Sequence, residues 1–113
     1  MTRIETDYFL DMQTEIKNLE DFTADIHSID EFRKDIKTIH ACIRSLDVIG
    51  EAAKNISPQT RSKYPQVPWK QISGARDIFI HNYTGIDLKV VWDTIHLSLP
   101  VLKAQVELIL REI

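Results

Sequence analysis

Apolar positions recur at steps of three and four along most of the chain, and that period predicts helices. Phe9, Met12, Ile16 and Leu19 form one such stripe, placing a first helix at about Ile4 to Phe22 with Asp11, Glu15, Lys17 and Glu20 on its outer side. Ser28-Ile29-Asp30-Glu31 has the form of a capping box, in which serine and glutamate side chains satisfy each other's free backbone amides, so a new helical turn is expected there. Ile36, Ile39, Ile43, Leu46, Ile49, Ala53 and Ile56 continue the period in the longest such run of the chain. This run is expected to be the longest helix and the spine of the fold.

Ser57-Pro58 stops that helix and can cap a short one, because proline is tolerated in a first turn. Tyr64-Pro65-Gln66-Val67-Pro68 reads as an extended connector, with Pro68 opening the next helix at its first position. Gly85 should end that helix and Asp87 cap another, whose core stripe is Leu88, Val91, Trp92 and Ile95. Pro100 is expected to kink or restart the chain before Leu102, Val106, Ile109 and Ile113. No strand-like alternation persists, and no repeat or low-complexity tract is visible. The expected fold is all-α, an antiparallel bundle of four to five main helices with short connections, formed by residues 1–113 as a single domain.

Composition adds constraints. At 113 residues the chain buries about 60–70% of its unfolded surface, a modest core that a dimer would supplement. Hydrophobic residues at 43% and charged residues at 27% are those of an ordinary globular protein. A formal net charge of -3 gives no long-range attraction for phosphate, so any nucleic-acid contact has to come from a local patch. One cysteine, Cys42, cannot form an internal disulfide and fits the reducing cytoplasm; it lies in an apolar helical pattern, which favours an inert buried thiol. No apolar run is long enough to span a membrane, and MTRIETDYFL lacks the layout of a signal peptide.

Chemistry concentrates in Trp69 to Asp87, WKQISGARDIFIHNYTGID, which holds Arg76, Asp77, His81 and Tyr83. At about 100° per residue, Asp77 and His81 are neighbours one turn apart, and Tyr83 returns to within about 20° of Arg76. Arg76 and His81 diverge by about 140° on the same geometry. One straight helix does not aim both at a small target; either the helix ends near His81 or a second copy of the chain completes the site. Spacing alone also fits a solvated helix face with an Asp77–His81 hydrogen bond.

Pro68-Trp69, Ile72, Gly74, Arg76-Asp77, Ile80-His81, Tyr83 and Gly85-Ile86-Asp87 together resemble the signature of HepT-like proteins of the HEPN superfamily, whose mark is Arg-x4-His-x-Tyr. Ile49-Gly50-Glu51-Ala52-Ala53-Lys54 resembles a second block of that family upstream, and Val91-Trp92 and Leu99-Pro100 match downstream. The resemblance implies a HEPN-like helical bundle and a toxin of a HepT/MntA-like toxin–antitoxin pair, acting as a homodimeric, metal-independent RNA endonuclease. It implies catalytic roles for Arg76, which would bind and neutralise phosphate, and His81, which would move protons, with Asp77 and Tyr83 supporting them. It further implies an MntA-like nucleotidyltransferase antitoxin that blocks cleavage by AMPylation of Tyr83. Thr84 stands where the family commonly has an aromatic residue. The alternative is a non-catalytic helical binding subunit of a nucleotidyltransferase complex, using Arg76 and His81 only to bind.

The remaining candidates point to structure. His27, His40 and His96 have no metal-like spacing and are expected at the surface or at helix caps, so neither metal nor cofactor is expected. Asp47 and Glu51, one turn apart, read as a solvated face or as salt-bridge partners of Arg44 or Lys54. Trp69 and Trp92 are expected in the core or an interface, and Arg61, Lys63 and Lys70 form a modest basic cluster that could guide RNA.

Overall fold

The computed structural model describes residues 4–80 and 87–113, with residues 75–80 described as helix backbone only. Seven α-helices and one π-helical turn account for most of them: α1 (Glu5–Thr23), α2 (Ile29–Lys34), α3 (Ile36–Lys54), α4 (Pro58–Lys63), α5 (Trp69–Ile80), α6 (Leu88–Asp93), the π turn Thr94–Ser98, and α7 (Leu99–Glu112). Polar side chains start several of them. Ser28 accepts from the Glu31 amide at the head of α2, Asp35 from the Thr38 amide at the head of α3, and Ser57 from the Thr60 amide at the head of α4. Asp87 accepts from the Lys89 and Val90 amides and caps α6 as expected. In the α2 box the Glu31 carboxylate reaches the His27 amide rather than the serine's own, at 2.6 Å.

The fold is the expected all-α bundle. Phe9, Met12, Ile16 and Leu19 of α1 are all buried and meet Cys42, Leu46 and Ile49 of α3 and Leu102, Val106 and Ile109 of α7. The period overreaches at two ends. Ile36, the first residue of α3, is 65% exposed, and Ile113, just past α7, is 58% exposed. α3 also shares its length with α1, 19 residues each, so it is not the single longest helix.

Contacts between helix ends establish the antiparallel order. Glu5, at the start of α1, accepts from the Ser57 amide at 2.6 Å and from the Thr60 hydroxyl, just beyond the end of α3. Burial alone would raise the Glu5 pKa, but these donors hold it below the usual glutamate value. Lys103 in the first turns of α7 pairs with Glu20 near the end of α1 at 2.9 Å, and Tyr64 donates to Glu112 at the other end of α7 at 2.8 Å.

Two prolines differ from expectation in detail. Pro68 precedes α5 and its carbonyl accepts the first intrahelical bond, from the Ile72 amide at 3.0 Å, so it occupies the capping position and not the first helical one. Pro100 lies in the first turn of α7, where the α-helix restarts as expected, but the chain stays helical across the junction. The proline has no amide to give the His96 carbonyl, and its ring crowds that carbonyl. The preceding turn therefore widens to a π turn, in which the Leu99 amide bonds Thr94.

α5 lies on α3 at a close crossing. A Cβ added to Gly50 would sit 3.1 Å from the Ile72 carbonyl oxygen, a backbone atom that cannot swing aside. Gly50→Val should therefore push the two helices apart and lower unfolding free energy by about 2 kcal/mol, the usual penalty for overpacking. Chemical denaturation checks this; a variant as stable as the parent would show that α5 can shift without cost.

Candidate functional site

α5 carries two residues of the candidate motif, Arg76 and Asp77, and its first turn is anchored firmly. Trp69 is buried with its ring edge-on to Phe9, and its indole Nε1 donates to the Tyr64 carbonyl at 3.0 Å. The Arg61 guanidinium lies 5.9 Å from the Trp69 ring centroid while donating to Ile56 and Ala53 carbonyls at 3.1 and 2.8 Å. Arg61 thus closes the carbonyl end of α3 and is not the RNA-guiding cation that the sequence suggests; Lys63 and Lys70 remain exposed. The Tyr64-Pro65-Gln66-Val67-Pro68 connector is pinned by the burial of Tyr64 and Val67.

From that anchor α5 runs to Ile80 and carries Arg76 and Asp77 at successive positions, about 100° apart around the axis. His81, Tyr83 and the expected terminator Gly85 lie outside the described residues. Ser73 is three positions before Arg76 and four before Asp77, so helix register puts all three positions on one side of α5.

On that side, α1, α3 and α5 enclose a groove of about 540 Å³. Tyr8 and Asp11 of α1 line one wall, Arg44, Asp47 and Glu51 the α3 wall, and Ser73 the α5 wall. The expectation for Asp47 is a solvated carboxylate or a partner of Arg44 or Lys54. Asp47 is half-buried, and its Oδ1, like the Ser73 hydroxyl, is covered and has no hydrogen-bond partner among the described residues. The three-and-four spacing of Arg44, Asp47 and Glu51 marks a polar stripe. Nothing in the sequence says that α1 and α5 roof it.

A family model described as "Ribonuclease HepT-like" matches residues 12–109. The chain belongs to the HepT-like ribonuclease family. Over 107 residues it is 39% identical to the "Probable ribonuclease HepT" of Thermococcus cleftensis, covering 95% of this chain and 96% of that protein. A Methanocaldococcus jannaschii protein whose name provisionally assigns it as an RNase is 43% identical over 106 residues, covering 94% and 87% of the two chains. Among solved structures none gives a significant match. The matched residues include all of α3 and α5, and the block at Gly50 is a point where those helices touch.

Other expected assignments are structural. His27, His40 and His96 are all exposed, and His96 stacks on Trp92 at 3.9 Å with Nδ1 2.8 Å from the Trp92 carbonyl oxygen. Trp92 is half-buried against Phe32. Among the described residues no group of His, Cys, Asp or Glu side chains is arranged to hold a metal ion, and no helix is long and apolar enough to cross a membrane.

Cys42 is fully buried, and burial, with a smaller push from Asp35, raises its thiol pKa from 9.0 to about 11. A protonated thiol is a poor nucleophile. Alkylation of the folded protein at pH 8 should be about 100-fold slower than in denaturant, and equal rates would contradict the burial. Linkage gives a second readout. The folded state keeps a proton that the unfolded state loses above about pH 9, so this contribution to stability is complete below pH 9.0 and is lost as pH rises towards about 11.

Proposed function

We propose that this HepT-like protein cleaves RNA without a metal, as the homodimeric toxin of a toxin–antitoxin pair. The observation that carries the reading is an intact Arg76-x4-His81-x-Tyr83 set in a chain of this family, begun on a helix that is anchored beside a polar groove. Metal-free cleavage needs a base for the 2'-hydroxyl, positive charge for the five-coordinate phosphorus and an acid for the leaving oxygen. His81 is the proton-transfer residue, since imidazole titrates near neutrality. Arg76 is the phosphate ligand, always charged and with donors in a planar fork. Asp77, one turn before His81 in sequence, orients the ring through its N–H, and Tyr83 contacts a phosphate oxygen or stacks on a base.

A homodimer answers the 140° divergence between positions 76 and 81 on a single helix, because two copies facing across a shared cleft supply both groups to one linkage. A nucleotidyltransferase partner of the MntA-like class then switches the site off by transferring AMP to Tyr83. The added bulk and negative charge would occupy the path of the RNA phosphate. A reducing cytoplasmic setting fits the unpaired thiol of Cys42.

RNA incubated with the protein in excess chelator should be cut, and Arg76→Ala and His81→Ala should each lower the rate by about 100-fold or more. Equal cutting by all three proteins would remove the catalytic assignment. With the partner and ATP, mass spectrometry should find AMP-sized additions on Tyr83; a Tyr83→Phe protein that still accepts them would misplace the switch.

A further inference from the structure

We propose that the outward face of α7 and the π turn before it is where two copies of this chain pair, antiparallel, about a two-fold axis between Val101 and Ala104. What the pairing serves rests on the homodimeric ribonuclease reading above; the choice of face rests on the helix itself.

An amphipathic helix turns one apolar stripe to the core and a polar back to water. α7 does not. Its core stripe, Leu99, Leu102, Val106 and Ile109, is buried. Roughly 150° around the axis lies a second apolar stripe. There Leu97 is 69% exposed, Val101 57% and Leu108 39%, with Ala104 exposed between them. Four apolar positions in a row, about 16 Å long, are more than the scattered single residues of an ordinary surface. The surface also continues sideways, since Leu97 and Val101 form one wall of an apolar groove of about 310 Å³ whose other side is Pro68 and Ile72. Ile72 stands one turn before Arg76 on α5, so a body seated on this face lies next to the helix that carries the motif.

The spacing and the charges say that the body is another copy. Leu97, Val101, Ala104 and Leu108 are separated by four, three and four residues, the steps with which paired helices interlock. That series is the same read in either direction. Turned end for end, it therefore fits itself, Leu97 against Leu108 of the other copy and Val101 against Ala104, which is the condition for a two-fold contact. The small Ala104 near the axis lets the helices approach closely. Asp93, one turn before Leu97, has 42% of its side chain exposed beside Lys89, and Arg111, one turn after Leu108, is exposed. An antiparallel pair brings Asp93 of each copy to the Arg111 end of the other, twice over. Glu112 next to it is held by the Tyr64 hydroxyl at 2.8 Å. A parallel pair would set like charges together.

Sedimentation equilibrium of the full-length protein should show a dimer. Val101→Glu puts two carboxylates into the contact and should weaken dimerisation by about 100-fold or more, with circular dichroism unchanged because the position is on the surface. Arg111→Asp should weaken it by about ten-fold, and combining it with Asp93→Arg should restore the parent affinity. A parent that stays monomeric overturns the proposal, as does a dimer that Val101→Glu leaves equally tight. A double reversal as weak as Arg111→Asp alone overturns the antiparallel arrangement, and this pair of variants decides if Val101→Glu fails to fold. A dimer that responds as expected but never cuts RNA would defeat the ribonuclease reading and leave the face standing. RNA cleavage by a dimer indifferent to Val101→Glu would do the reverse.

Discussion

The backbone contact between α3 and α5 at Gly50 is the constraint on which the rest of the molecule turns. An α-helix normally keeps a neighbour about 8–10 Å away because side chains intervene. With hydrogen in place of a side chain, the Ile72 carbonyl of α5 comes close enough that a single added carbon would sit 3.1 Å from it. Every later residue of α5 inherits its position from this crossing and from the Trp69 anchor one turn earlier. Arg76 and Asp77 are thus set by packing that begins well before them in the chain.

Bundle order is secured more by the core than by its polar ties. The Lys103–Glu20 pair is solvent-exposed on both sides, and such pairs contribute little, since Coulomb attraction is screened and two long side chains must be held still. Buried Phe9, Met12, Ile16 and Leu19, opposite Cys42, Leu46, Ile49, Val106 and Ile109, contribute far more by withdrawing apolar surface from water. The end contacts have a different value. Glu5 at Ser57 and Thr60, and Tyr64 at Glu112, distinguish one end of the bundle from the other, so a helix inserted upside down would leave polar groups unmet.

Helices, caps and the principal core are legible in the sequence because each depends on residues within a turn or two. The α1 stripe, the Ser28 and Asp87 caps and the short helix after Ser57 are of this kind. Ile36 and Ile113 obey the same period yet lie exposed, since periodicity reports which face a residue shares and not whether another helix reaches that far along it. Arg61 is not legible as a closing group because its acceptors, the carbonyls of Ala53 and Ile56, belong to the end of another helix. Asp47 escapes the sequence for a related reason. Its neighbours at three and four positions predict a solvated stripe, whereas the covering of its Oδ1 depends on helices distant in sequence. The family itself is legible through the run that holds Arg76, Asp77, His81 and Tyr83, and the family model matches across it.

Net charge constrains how a ribonuclease of this family can hold RNA. An acidic chain of net charge -3 gains little from the long-range, sequence-independent attraction that governs most nucleic-acid binding. Affinity for RNA then has to be assembled from short-range contacts. Such contacts depend on which base is present, in a way that phosphate attraction does not. The weaker the background attraction of a chain, the larger the share of recognition that falls to such local contacts.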